Sequence, residues 1–114
     1  MPIRNLPTTL AAVVIAAAMA FSLKAADPKV DRGKQIYAEQ KCGLCHSIGD
    51  SGNKKGPLDE VGSRLKDAEL RSWIVDAKGM TDKTKAPRKP AMKNYDLPKD
   101  DVDALVAYMA TLKK

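Results

Sequence analysis

Cys42 and Cys45 stand three positions apart, and His46 follows the second directly. A Cys-x-x-Cys-His stretch is the pattern at which haem is attached covalently. The chemistry accounts for each residue type: two thiols add across the haem vinyl groups, and the adjacent imidazole is placed to ligate iron. Other uses of these residues explain less. Zinc takes about four protein ligands, whereas the chain holds two cysteines and one histidine. A thioredoxin-like redox pair sits among alternating strands and helices, and none is visible around this stretch. A disulfide closing so short a loop gains little stability and leaves His46 without a role.

The elements that must hold such a group read as helices joined by loops rich in Gly, Lys and Pro, without a convincing period-two strand. The first helix is expected to start with Asp27 as N-cap and Pro28 at the first helical position. It carries Val30, Gly33, Ile36 and Tyr37 on one face and runs directly into Cys42. A short second helix is expected over Leu58 to Leu65. A third follows Asp67 as N-cap, with Leu70, Trp73, Ile74 and Ala77 as its apolar stripe and Gly79 as its stop. The last begins near Pro98, with Asp96 available as a cap, and shows Val102, Leu105, Val106, Met109 and Leu112 at helical spacing. The fold class is therefore all-α, three to four helices in one domain.

The N-terminal residues form a different kind of segment. Arg4, an apolar run from Leu10 to Leu23, and the small residues Ala25 and Ala26 make the three parts of a secretory signal peptide. The run falls short of the roughly 20 residues a membrane span takes. We expect residues 1–25 to be a signal peptide, with an uncleaved anchor as the alternative, and residues 26–114 to be the working domain. Export on this reading places the protein in the periplasm. A polypeptide that small buries about 60 to 65% of its unfolded surface and gains from a staple or cofactor.

From about Val30 to Leu112 the chain resembles a class I, monohaem c-type cytochrome of the bacterial periplasmic kind. The resemblance implies a cytochrome c-like fold, in which an N-terminal and a C-terminal helix cross near a glycine and an aromatic; Gly33, Tyr37, Leu105 and Tyr108 occupy those places. One haem c, held by Cys42 and Cys45, is the implied cofactor. Gly56-Pro57-Leu58 is similar to the family's loop beneath the haem, and the Pro57 carbonyl is expected to accept a hydrogen bond from the His46 imidazole, fixing its tautomer. Trp73 would reach a haem propionate with its indole N–H, although its spacing with Leu70 and Ile74 also suits core packing.

Methionine is the residue type expected opposite His46, because a thioether suits iron in an electron carrier. Met109 lies on the stripe of the last helix and is most simply core. Met92, two residues after Pro90 and shortly before the last helix, stands where the family places its distal ligand, and is preferred to Met80. Lys93 occupies a position where many relatives carry proline.

The whole chain carries a formal charge of +6. Without residues 1–25, which contain Arg4 and Lys24, 18 basic and 14 acidic side chains remain. The densest asymmetry runs from Lys78 to Lys93, where Lys78, Lys83, Lys85, Arg88, Lys89 and Lys93 face only Asp82. Beside the Met92 loop such a rim would orient the protein toward a redox partner with an acidic docking surface. Nucleic acid is not expected as a partner, since the chain lacks interleaved aromatics for base stacking. No heptad seam appears, and the expected state is a monomer without a membrane span once the signal is removed.

The expected function is periplasmic one-electron transfer by a His46- and Met92-ligated haem c, a carrier rather than an enzyme. One alternative leaves the sixth position open for ligand binding or peroxidase-like chemistry, which lacks a distal histidine to support it. Another makes the chain a tethered haem subunit of a membrane redox complex.

Overall fold

The computed structural model describes residues 27–114, and the proposed signal segment lies outside the described residues. Helix α1 spans Pro28–Glu39, with Pro28 in its first turn and the Asp27 carboxylate accepting from the Lys29 backbone N–H at 2.9 Å. That is the predicted cap: the carboxylate satisfies a donor that the first turn leaves without an intrahelical partner, and proline costs nothing where no N–H is needed. The helix buries Gly33 and Ile36 and ends beside Lys41, whose left-handed backbone (φ 55°) turns the chain into a single 3-10 turn over Cys42–Leu44.

Two short antiparallel strands follow, β1 (Ser47–Ile48) and β2 (Ser51–Gly52), with Ser47 opposite Gly52 and Ile48 opposite Ser51. They were not expected from the sequence, because two residues are too few to show a period. On its other side Ser47 bridges to Pro57 in a parallel sense. Helix α2 covers only Val61–Arg64, shorter than the stretch from Leu58 to Leu65 read from the sequence.

Helix α3 runs over Asp67–Val75 and helix α4 over Ala77–Thr84. The sequence suggested one helix here, stopped by Gly79. The chain instead breaks at Asp76, whose carboxylate accepts from the Gly79 backbone N–H at 3.2 Å and so caps a new helix. Gly79 is thus inside α4. Asp67 opens α3 but does not cap it: Lys66 holds that position, and its backbone N–H donates to the Glu69 carboxylate at 3.2 Å.

Helix α5 spans Lys99–Thr111 from Pro98, and no side chain, Asp96 included, supplies its N-terminal cap. It buries Val102, Ala104, Leu105, Val106 and Met109, which meet Ile36, Val61, Leu70 and Ile74 in one apolar cluster. Each Val, Leu, Ile or Met side chain among them contributes about 1.5 to 3 kcal/mol when fully removed from water. Gly33 lets α1 and α5 approach closely, and Tyr37 meets Tyr108 edge to face across the crossing, ring centroids 6.0 Å apart at 86°. Charged groups fasten the outside: Arg32 of α1 pairs with Asp101 at 3.2 Å, and Asp103 accepts from both Arg71 and Lys99.

The fold is all-α in its bulk, as expected, with five helices among the described residues where three to four were anticipated. Between α4 and α5 the chain has no regular structure. It is tied back by Lys78 N–H to Asn94 Oδ1 at 2.9 Å and by Tyr95 N–H to the Ile74 carbonyl at 2.9 Å. Among the described residues, no helix is long and apolar enough to cross a membrane.

Candidate functional site

The 3-10 turn over Cys42–Leu44 brings the two thiols and the imidazole to one wall of a cavity of about 710 Å³. The size suits a ligand larger than a few waters. Its floor is apolar, with Leu58, Val61, Leu70, Ile74 and Leu105 contributed by four parts of the chain. Tyr37 at the end of α1, Trp73 of α3 and Tyr95 of the long loop complete the aromatic part of the lining.

His46 is held from behind. Its Nδ1 lies 3.0 Å from the Gly56 carbonyl oxygen. A carbonyl only accepts, so Nδ1 carries the proton and Nε2 keeps the lone pair that a metal ligand needs. The sequence assigned this role to Pro57. Residues 56–58 run extended beside Ser47, with Ser47 N–H donating to the Gly56 carbonyl at 3.1 Å and Leu58 N–H to the Ser47 carbonyl at 2.8 Å. Successive residues of an extended chain point their groups to opposite sides, and here it is the carbonyl of Gly56, not of Pro57, that meets the ring. Gly56 also needs its missing side chain, because a Cβ there would overlap the Cys45 carbonyl and stand 3.0 Å from His46 Nδ1.

Burial pushes the His46 imidazole below its ordinary value, the Gly56 hydrogen bond opposes this, and nearby Arg88 reinforces it. The neutral ring is the form that binds metal. Cys42 and Cys45 are both free thiols, the first half-buried and the second exposed. Burial raises the Cys42 thiol above its ordinary value. The Tyr37 hydroxyl, buried at the same wall without a hydrogen-bond partner, is pushed up to about 12, chiefly by burial.

Of the three methionines among the described residues, Met92 and Met109 line the cavity and Met80 does not. From α4 the cavity is lined by Thr81 and Thr84. Met109 belongs to the buried cluster on α5, and Met92 sits half-buried on the irregular loop. Trp73 stands in the wall, half-buried, so its spacing with Leu70 and Ile74 serves the lining as well as the core.

The donor set and the cavity fit a porphyrin. Thiols, an imidazole with a free lone pair and a thioether all border one apolar space wide enough to enclose a flat aromatic ring. Among the described residues no three side chains of the His, Cys, Asp and Glu types converge on a point where an ion could be held, so a zinc site has no ligand set.

Residues 30–113 match the cytochrome c family. The chain belongs to the cytochrome c family. Membership carries haem-based electron transfer with it, and the fold described above is the expected one for a class I cytochrome. The chain is also similar to cytochrome c oxidase subunit 2 of Alkalihalophilus pseudofirmus, 29% identical over 92 residues that cover 73% of this chain. It spans only 25% of that relative's length. No solved structure matches the chain.

Two contributors were missed in the sequence. Arg88 borders the cavity and donates to the Cys45 carbonyl; it was counted only as one charge in a basic run. Tyr95, three residues after Met92, lines the cavity while its N–H anchors the loop. Its closeness to Met92 was the available signal.

Proposed function

We propose that this cytochrome is an exported, periplasmic one-electron carrier with a single covalently attached haem c, His46 and Met92 serving as axial ligands. The observation that carries the reading is that Cys42, Cys45, His46 and Met92 border one apolar cavity. A haem bound there supplies reversible one-electron chemistry at its iron. Cys42 and Cys45 would hold the haem by adding sulfur and hydrogen across its vinyl double bonds, which would keep the cofactor from being lost. The Gly56 carbonyl orients the imidazole and raises its basicity toward iron. Leu58, Val61, Leu70 and Ile74 exclude water, and the exposure of Cys45 supports a partner-facing edge on that side. Were His46 and Met92 both to hold the haem iron, no site would be left for a substrate, and the protein would act as a carrier rather than an enzyme. The lysine-rich segment from Lys78 to Lys93 supports a partner with an acidic docking surface.

The test is the absorption spectrum of the oxidised protein matured in a host competent for haem attachment. The weak red band of methionine bound to ferric haem is expected in the parent, lost in Met92→Ala and retained in Met80→Ala. The reverse result would move the ligand to Met80. A compact, colourless protein would end the haem reading altogether.

The likeness to an oxidase subunit favours a second reading, in which the chain serves as a haem subunit tethered to a membrane redox complex. The intact mass of the native protein separates the two, since the carrier reading requires loss of the N-terminal segment and the tethered reading requires its retention.

A further inference from the structure

We propose that Arg88 is a positioning residue that pins the Met92 segment to the haem-attachment stretch and, through its fixed charge, favours the reduced state. The inference rests on the electron-carrier reading above.

The Cys42 carbonyl is taken within the turn by the Cys45 and His46 backbone N–H groups at 3.1 and 3.0 Å, and the other carbonyls of the attachment stretch are shared out between two residues. Asn53 takes those of Gly43 at 3.0 Å, Leu44 at 3.1 Å and His46 at 2.9 Å, through its backbone N–H and its side-chain amide. The Cys45 carbonyl is left, and the Arg88 Nη1 donates to it. Asn53 is close in sequence and belongs to the same loop. Arg88 reaches across 43 positions. It lies four residues before Met92 on the loop that has no helix or strand to hold it, so its hydrogen bond couples the segment bearing the distal methionine to the segment bearing the thiols and the imidazole.

Space has been made for it. A Cβ on Gly56 would collide with the Arg88 Nη1 as well as with the Cys45 carbonyl. Three segments therefore meet at the guanidinium: the attachment turn, the Gly56 loop that orients His46, and the Met92 loop. Arg88 also borders both the deep cavity and the open depression outside it, where Leu44, Asn53, Lys55 and Pro87 are its neighbours. Among the described residues no carboxylate pairs with it.

The electrostatic consequence follows from sign alone. Oxidation of a bound haem would add one positive charge, and a cation beside the His46 imidazole that no protein carboxylate neutralises would raise the cost of that step. A guanidinium is charged at every working pH, so the bias is constant. Lysine would keep the charge but not the planar fork that fits a carbonyl between two loops.

The experiment compares the holoprotein with Arg88→Gln and Arg88→Lys, by redox titration and by hydrogen exchange of the amides between residues 86 and 95. For Arg88→Gln the ferrous-to-ferric ratio at fixed ambient potential is expected to fall about threefold to tenfold, about 30 to 60 mV at 59 mV per tenfold for one electron. Amide exchange in the loop should rise about tenfold or more. For Arg88→Lys the ratio should stay within about twofold of the parent while exchange still accelerates. An unchanged ratio or unchanged exchange in Arg88→Gln overturns the proposal. If that variant fails to mature, Arg88→Lys decides alone: faster exchange at an unchanged ratio supports the proposal, and unchanged exchange overturns it. Failure of the Met92 assignment would show in the spectra of Met92→Ala and Met80→Ala without any change at Arg88, so the two failures are distinguishable.

Discussion

Gly33 lies against Ala104 so closely that a Cβ would overlap the Ala104 carbonyl oxygen and stand 2.6 Å from the Tyr108 Cβ. The contact fixes how near α1 and α5 approach, and with it the placement of Cys42 at the end of α1 relative to Leu105 and Met109 on the cavity's far wall. In Gly33→Ala the backbone of α5 must move, because the obstructing atoms are main chain rather than a flexible side-chain tip. Overpacking of this kind costs about 1 to 3 kcal/mol, set against a gain of about 1 kcal/mol from alanine's better helix propensity. Because backbone cannot give way as a side-chain tip can, the cost falls in the upper part of that range, and the net effect expected is destabilisation of about 1 to 2 kcal/mol, read as a lower denaturant midpoint of the holoprotein at unchanged slope. A midpoint equal to the parent's would mean that the crossing is looser than the contact implies.

The same crossing shows what the sequence made legible. The contact of Gly33 and Tyr37 with Leu105 and Tyr108 was legible through the resemblance to the family, whose two terminal helices cross near a glycine and an aromatic, and the Asp27-Pro28 start of α1 was readable because capping is decided within a few residues. Cys42, Cys45 and His46 were readable because their chemistry is written in consecutive positions. The break at Asp76 was not, since the apolar stripe from Leu70 to Ala77 continues through it, while the backbone of that one residue leaves the helical region (φ −142°, ψ 53°) and its carboxylate caps α4. The choice between Gly56 and Pro57 depends on which of two adjacent carbonyls faces the ring, a matter of parity that a Gly-Pro pair does not encode. Arg88 had no local signal at all, as its partner lies 43 residues away.

Asp103 joins α3 to α5 by accepting from Lys99 Nζ at 2.9 Å and from Arg71. The Lys99 and Arg71 hydrogen bonds hold its carboxyl below the ordinary carboxylate range. A carboxylate whose folded value is depressed contributes stability that is present above its unfolded value and lost as pH falls through the folded one. Stability of the parent is therefore expected to decline between about pH 4 and the lower folded value, the unfolded reference being about 3.9. In Asp103→Asn this portion of the decline should be missing, so the two stability-against-pH curves converge in acid and separate toward neutrality. Parallel curves over that range would show that Asp103 is not paired in solution. High salt should narrow the separation, since both cations are partly exposed.

Lys89 lines the open depression next to Cys45 and is exposed, and Lys83, Lys85 and Lys93 continue the same positive segment. If this rim steers encounter with an acidic redox protein, the bimolecular rate constant for electron transfer should fall steeply as salt rises, because exposed charges are screened beyond about 8 Å at physiological ionic strength. Lys89→Glu reverses one charge at the rim and should slow the low-salt reaction several-fold. Lys29→Glu makes the same change in net charge at the opposite end of α1, roughly 16 Å along the helix from the turn that carries the thiols. Its rate should stay within about twofold of the parent. Equal slowing by both substitutions would mean that the partner senses only overall charge, and the rim would lose its role. At about 1 M salt, where the screening length is near 3 Å, all three proteins should react at similar rates, since the difference between them is electrostatic and the route from the cavity edge is unchanged.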